Sequence, residues 1–126
     1  MNLTGRSILL IDDNAAIREG LRTLFEASGF SCRESENGAE GIREAQQMKP
    51  DLIVLDFSMP GMNGLEAIPL LKNILPETPI LMFTMFANPE LTKIAIAAGA
   101  TAVFSKDQAG TLLLPKAESL LKSEAA

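Results

Sequence analysis

Five side chains stand directly behind short apolar runs. Asp12 and Asp13 follow Ile8–Ile11, Asp56 follows Leu52–Leu55, Thr84 follows Ile80–Phe83, and Lys106 lies two residues after Ala102–Phe104. If these runs are neighbouring strands, one rim carries three carboxylates, a hydroxyl and an ammonium. Carboxylates gathered within a few ångströms repel one another, so the set calls for a cation among them. Oxygen ligands alone, without His or Cys, select a hard ion, and Mg²⁺ (or Mn²⁺) suits because it keeps waters and takes one or two carboxylates plus phosphate oxygens. A hydroxyl and two cations beside a carboxylate form a receptor for a phosphoryl group on that carboxylate. Asp56 is the best nucleophile candidate, because the turn Ser58-Met59-Pro60-Gly61 behind it leaves its oxygens open.

The elements that must position these groups are legible in the hydropathy. Four of the runs are apolar without alternation, as in parallel strands covered on both faces, and Phe30–Arg33 is a weaker fifth. Helical stripes lie between them: Ile17, Leu21, Leu24 and Phe25; Ala39, Ile42 and Ala45; Leu65, Ile68, Leu71 and Leu75; Leu91, Ile94, Ala95 and Ala98. Pro69 should kink the third or delay its start. The fourth has Asn88 as cap, Pro89 at its first position and Gly99 past its end. A fifth helix is expected from about Leu112 to Lys122. The order is (βα)5, which predicts an α/β, doubly wound, parallel five-stranded sheet with helices on both faces, filling residues 1–126 as one domain. Such sheets bind ligands outside the carboxyl ends of their strands.

Composition narrows the chemistry further. With 126 residues, 11 Lys plus Arg against 16 Asp plus Glu and a net charge of −5, the chain repels phosphate backbones and anionic lipid. Direct nucleic-acid or membrane binding is therefore not expected, and with no apolar membrane span or signal peptide a soluble, cytoplasmic protein is. The absence of histidine removes His-based triads, His-ligated zinc and a phosphohistidine on this chain, and the single Cys32 removes disulfides and CxxC sites. Cys32 and the six Met residues are expected as apolar filler.

The segments ILLIDDN (8–14), PDLIVLDFSMPGMNGLEA (50–67), PILMFT (79–84) and AAGATAVFSKD (97–107) resemble the receiver domain of two-component response regulators along essentially the whole chain. The wording GATAVFSKDQ is similar to receivers of LuxR-type regulators. The resemblance implies a flavodoxin-like fold and makes Asp56 the phosphoacceptor, supplied by a phosphohistidine on a sensor histidine kinase or phosphotransfer protein. It implies Mg²⁺ held by Asp13, Asp56 and the Ser58 backbone carbonyl, with Asp12 acting through a water. Thr84 and Lys106 would contact the phosphoryl oxygens, and Phe104 would be the switch aromatic that turns inward with Thr84. Output would pass through Glu90, Lys93, Ala97, Lys116 and Glu118 to a downstream protein, to an output domain of a longer regulator, or to a phosphorylation-dependent homodimer.

Plainer readings stand beside these. Asp12 and Asp13 also suit the cap of the following helix, Thr84 a β-branched strand position, Lys106 a solvated loop and Phe104 plain core. A metal-dependent aspartyl-phosphate phosphohydrolase would share the site, but it needs a second acid where Ser58 stands. A binding module that keeps only the fold is the third reading. Two residues depart from the family pattern: Met85, with Phe86 beside it, where a small residue is usual next to the pocket, and Asp107 where many receivers carry proline. Met85 and Phe86 are expected to restrict access to the pocket and slow loss of the phosphoryl group.

Overall fold

Backbone pairing joins five strands into one sheet in the computed structural model, which describes residues 5–122. In chain order the elements are β1 (Ser7–Ile11), α1 (Ala15–Ala27), β2 (Ser31–Ser35), α2 (Gly38–Met48), β3 (Leu52–Leu55), α3 (Gly64–Ile74), β4 (Ile80–Thr84), α4 (Pro89–Ala98), β5 (Ala102–Ser105), a π-helical turn (Ala109–Leu113) and α5 (Leu114–Lys122). All pairings are parallel and the spatial order is β2-β1-β3-β4-β5. This is the flavodoxin-like (βα)5 fold, and strand order reverses between β1 and β3.

Alternate strand residues feed two cores. Leu9, Ile11, Ile53, Leu55, Ile80 and Met82 pack with Ala45, Ala67, Ile68, Leu71, Leu91 and Ala95 from α2, α3 and α4. Ile8, Leu10, Leu52, Val54, Leu81 and Phe83 pack with Leu21 and Phe25 of α1 and Leu113, Ala117 and Leu121 of the last helical segment. Burial on both faces is why the central strands read as continuous apolar runs.

Several expectations are corrected. The second strand starts at Ser31 rather than Phe30 and runs to Ser35, because pairing with Ser7–Ile11 rather than its own apolarity defines it. Phe30 lies outside that strand, its ring edge-on to Phe25. The third helix is not delayed by Pro69: an Asn63–Glu66 capping box starts it at Gly64, and Pro69 sits exposed inside it. Ile94, expected on the buried stripe of α4, is 50% exposed. The last helix begins earlier than expected, as a π-helical turn in which the Leu112 and Leu113 N–H groups both donate to the Gln108 carbonyl. Met85 is 77% exposed and is not core filler, whereas Met59 and Met82 are buried; Met1 lies outside the described residues. Cys32 is half-buried against the α1–α5 core, and burial pushes its thiol up to about 11, which leaves it protonated at neutral pH. The Ser-Glu-Ala-Ala tail (123–126) also lies outside the described residues. Among the described residues no helix is long and apolar enough to cross a membrane.

Candidate phosphoryl and cation site

β1 and β3 are hydrogen-bonded neighbours with Ile11 opposite Leu55, and the Asp56 N–H donates to the Ile11 carbonyl at 3.0 Å. The residues that follow these strands, Asp12–Asp13 and Asp56, must therefore emerge side by side at the point where strand order reverses. One carboxylate oxygen from each of Asp12, Asp13 and Asp56 lies within 4.8 Å of the others. Asp12 and Asp56 are buried, so the turn after β3 does not leave the Asp56 oxygens open as expected; Asp13 is exposed and gives the cluster its one open side. A cleft of about 640 Å³ opens beside Asp13, between Glu36–Ala39 and Pro60–Met62.

The capping reading of the acids does not hold. α1 is capped by Asn14, whose side chain accepts from the Ile17 N–H at 3.1 Å. Asp12 instead accepts from the Asn14 N–H through Oδ1 at 2.9 Å and from Lys106 Nζ through Oδ2 at 2.7 Å. Lys106 Nζ also lies 3.5 Å from Asp56 Oδ2, and only 13% of its side chain is exposed, which excludes the solvated-loop reading. Burial, reinforced by the Asp12 carboxylate, raises the Asp56 pKa above its ordinary 3.8, while Lys106 and a hydrogen bond from the Phe57 backbone pull the other way.

Thr84 ends β4 fully buried. Its hydroxyl oxygen accepts from the Phe86 N–H at 3.2 Å, and its carbonyl accepts from the Lys106 N–H at 3.1 Å. The strand-pairing that aligns Thr84 with Ser105 thus sets where Lys106 departs. Ser58 is exposed in the loop after Asp56. Phe104 pairs with Phe83 across β4 and β5 and is half-buried against the α1–α5 core. Phe86 is 54% exposed, with its ring edge-on to Phe57 at 6.2 Å, so the loop after β4 touches the residue next to Asp56. Of the expected output residues, Glu90, Lys93 and Ala97 are exposed on α4, and Lys116 and Glu118 are half-buried on α5.

Three acids that one ammonium only partly offsets, all offering oxygen and one facing solvent, fit a hard divalent cation. Two structural contributors escaped the sequence reading. Arg18 reaches the Asp12 carbonyl from α1, which helical spacing alone does not reveal. Gly64 allows α3 to start against the Asp56–Phe57 backbone, its N–H donating to the Phe57 carbonyl at 2.7 Å. A Cβ there would collide with the Asp56 carbonyl and lie 2.9 Å from Phe57 Cα.

A family model for the response regulator receiver domain matches residues 8–118. The chain belongs to that family. It is 36% identical over 115 residues to a putative transcriptional regulator of Pseudomonas aeruginosa, covering 90% of this chain and 56% of that protein. To the nitrate/nitrite response regulator protein NarL of Escherichia coli it is 37% identical over 103 residues, 80% of this chain and 48% of the relative. It is 32% identical to chemotaxis protein CheY of Thermotoga maritima over 97 residues, 76% of this chain and 81% of the relative. Among solved structures, a LuxR-family two-component response regulator from Aurantimonas sp. SI85-9A1 superposes with a TM-score of 0.84 at 29% identity, covering 92% of this chain and 85% of that one. The chain spans just over half the length of the first curated relatives it matches. Receiver domains are signalling modules of two-component systems, working with histidine kinases or phosphotransfer partners and with output domains.

Proposed function

We propose that this receiver domain is a phosphorylation-driven switch whose acceptor is Asp56, filling residues 1–126 as one domain in the cytoplasm. An Asp56 carboxylate oxygen attacks the phosphorus of a phosphohistidine on a sensor histidine kinase or phosphotransfer protein. The O–P bond forms, the P–N bond breaks, and the imidazole nitrogen leaves with the electron pair. Asp12, Asp13, Asp56 and the Ser58 carbonyl would hold Mg²⁺ (or Mn²⁺), which when bound supplies charge neutralisation for the phosphoryl oxygens. Lys106, which bridges Asp12 and Asp56, would pair with a phosphoryl oxygen on Asp56. Thr84 can keep accepting from Phe86 while its hydroxyl proton turns to the phosphoryl group.

The new charge then biases a two-state arrangement of Thr84 and Phe104, read out on the α4–α5 side by a protein target, an attached output domain or a second copy. The chain's negative charge argues against nucleic acid or membrane as its own partner. Met85 and Phe86 restrict water at the mouth of the pocket, with Phe86 the stronger restraint because it rests on Phe57. The observation that carries the proposal is the buried Asp56 carboxylate, flanked by Lys106 and by the two acids that follow β1. Incubation with acetyl phosphate or phosphoramidate and Mg²⁺ tests it. One phosphoryl group per chain supports the switch. Steady turnover of phosphate esters would support a phosphohydrolase, and failure to label would support a fold-only binding module.

A further inference from the structure

Asp12 is held at every polar atom. Its N–H donates to the Ser35 carbonyl at 3.1 Å, Oδ1 accepts from the Asn14 N–H, and Oδ2 accepts from Lys106. Its carbonyl accepts from Arg18 Nη1 at 2.6 Å. That carbonyl belongs to the peptide plane joining Asp12 to Asp13, so its direction fixes how the second acid leaves the first. The guanidinium is itself braced: Arg18 Nε donates to Glu34 Oε1 at 2.9 Å, while the other Glu34 oxygen accepts from Arg22 Nε at 2.7 Å. These hydrogen bonds, led by that from Arg22, hold Glu34 below the usual carboxylate range, so the brace stays charged. Only 13% of the Arg18 side chain is exposed.

We infer that Arg18 is a positioning residue for the cation site, fixing through the Asp12 carbonyl the relative placement of the Asp12 and Asp13 carboxylates. This rests on the cation reading given above. Two effects of Arg18 oppose each other. Its charge repels a divalent ion, though Glu34 offsets it at contact distance. Its two hydrogen bonds preorganise the ligands, and losing such outer partners commonly weakens metal binding by about 10–100-fold. With the charge offset locally, and with Arg18 the group that reaches the carbonyl between the two acids while Ser35, Asn14 and Lys106 hold the rest of Asp12, preorganisation wins.

Mn²⁺ titration of the full chain, read by paramagnetic resonance of the free ion, separates the two. Arg18→Ala and Arg18→Lys are both expected to bind Mn²⁺ about ten-fold more weakly, because lysine keeps the charge but lacks the fork that spans Glu34 and the Asp12 carbonyl. Arg22→Ala, which removes the other guanidinium on Glu34 without reaching Asp12, should stay within about two-fold of wild type. In chelator, the Asp12 carbonyl ¹³C shift should move in both Arg18 variants and stay in Arg22→Ala. Tighter or unchanged Mn²⁺ binding in Arg18→Ala, or an unmoved carbonyl shift, would overturn the role of Arg18 while leaving the cation site standing. A wild-type chain that binds no Mn²⁺ would instead overturn the cation site, and this role with it.

Discussion

Replacing Lys106 with methionine keeps the aliphatic stem and removes the ammonium that lies 2.7 Å from Asp12 and 3.5 Å from Asp56. Both carboxylates are more than nine-tenths buried, so neither regains bulk water when the charge is lost. Removing one partner of a buried ion pair costs about 3–5 kcal/mol. The lower end applies here, because the Asn14 and Phe57 backbone N–H groups still donate to Asp12 and Asp56 once the ammonium is gone. For 126 residues the unfolding entropy is about 0.26 kcal/mol/K, so about 3 kcal/mol lowers the melting midpoint by about 11 °C. Thermal unfolding followed by far-ultraviolet dichroism in chelator at pH 7 measures this. Adding Asp12→Asn to the variant should recover part of the loss, since it removes the Asp12 charge that repels the Asp56 carboxylate. A midpoint within about 2 °C of wild type would refute the reasoning, because it would mean the three groups do not form a desolvated cluster.

The raised Asp56 pKa makes the contribution of this group to stability fall as pH climbs from 3.8 through the folded-state value, so metal-free Asp56→Asn should be the more stable protein at neutral pH. Its advantage should disappear as the pH drops below 3.8, and denaturant titrations at several pH values would measure it. Gly64→Ala should cost about 1–3 kcal/mol in chemical denaturation and slow labelling of Asp56, because its methyl meets backbone. Gly41→Ala, whose methyl would crowd the Cδ1, Cγ1 and Cγ2 atoms of the buried Ile11 side chain at 2.5, 2.9 and 3.1 Å, should also destabilise, but should leave labelling close to wild type because it meets a side chain and not the Asp56 backbone. Phe86→Ala should shorten the phosphoaspartate lifetime more than Met85→Ala does, as decay of the labelled species by mass spectrometry would show; unchanged lifetimes would remove both from control of access.

The sheet was legible because Leu52–Leu55 and Ile80–Phe83 are buried on both faces, which leaves no alternation to confuse the period. The site was legible because chemistry-bearing residues sit directly behind those runs, and parallel pairing then brings Asp12 beside Asp56. β2 was displaced because it is an edge strand defined by its partner, with exposed Ser31 and Arg33 among its five residues. The start of the last helix was missed because a π-helical turn has no side-chain signature at helical spacing. Arg18 could not be singled out because what it does depends on a backbone carbonyl, to which any sequence pattern is blind. The capping residues were more accessible: Asn63 followed by Glu66 is a readable capping box, and Asn14 precedes the Ile17 stripe by the same interval.

Asp56 is the chemical centre of the proposed site, to which β1, β3, β4 and β5 each bring a residue. Intact-mass spectrometry after incubation with acetyl phosphate and Mg²⁺, comparing wild type with Asp56→Asn, tests that role. A single phosphoryl adduct is expected on the wild type, lost when Mg²⁺ is chelated, and none on Asp56→Asn. An adduct of equal yield on both proteins, or an unmodified wild type, would contradict that role.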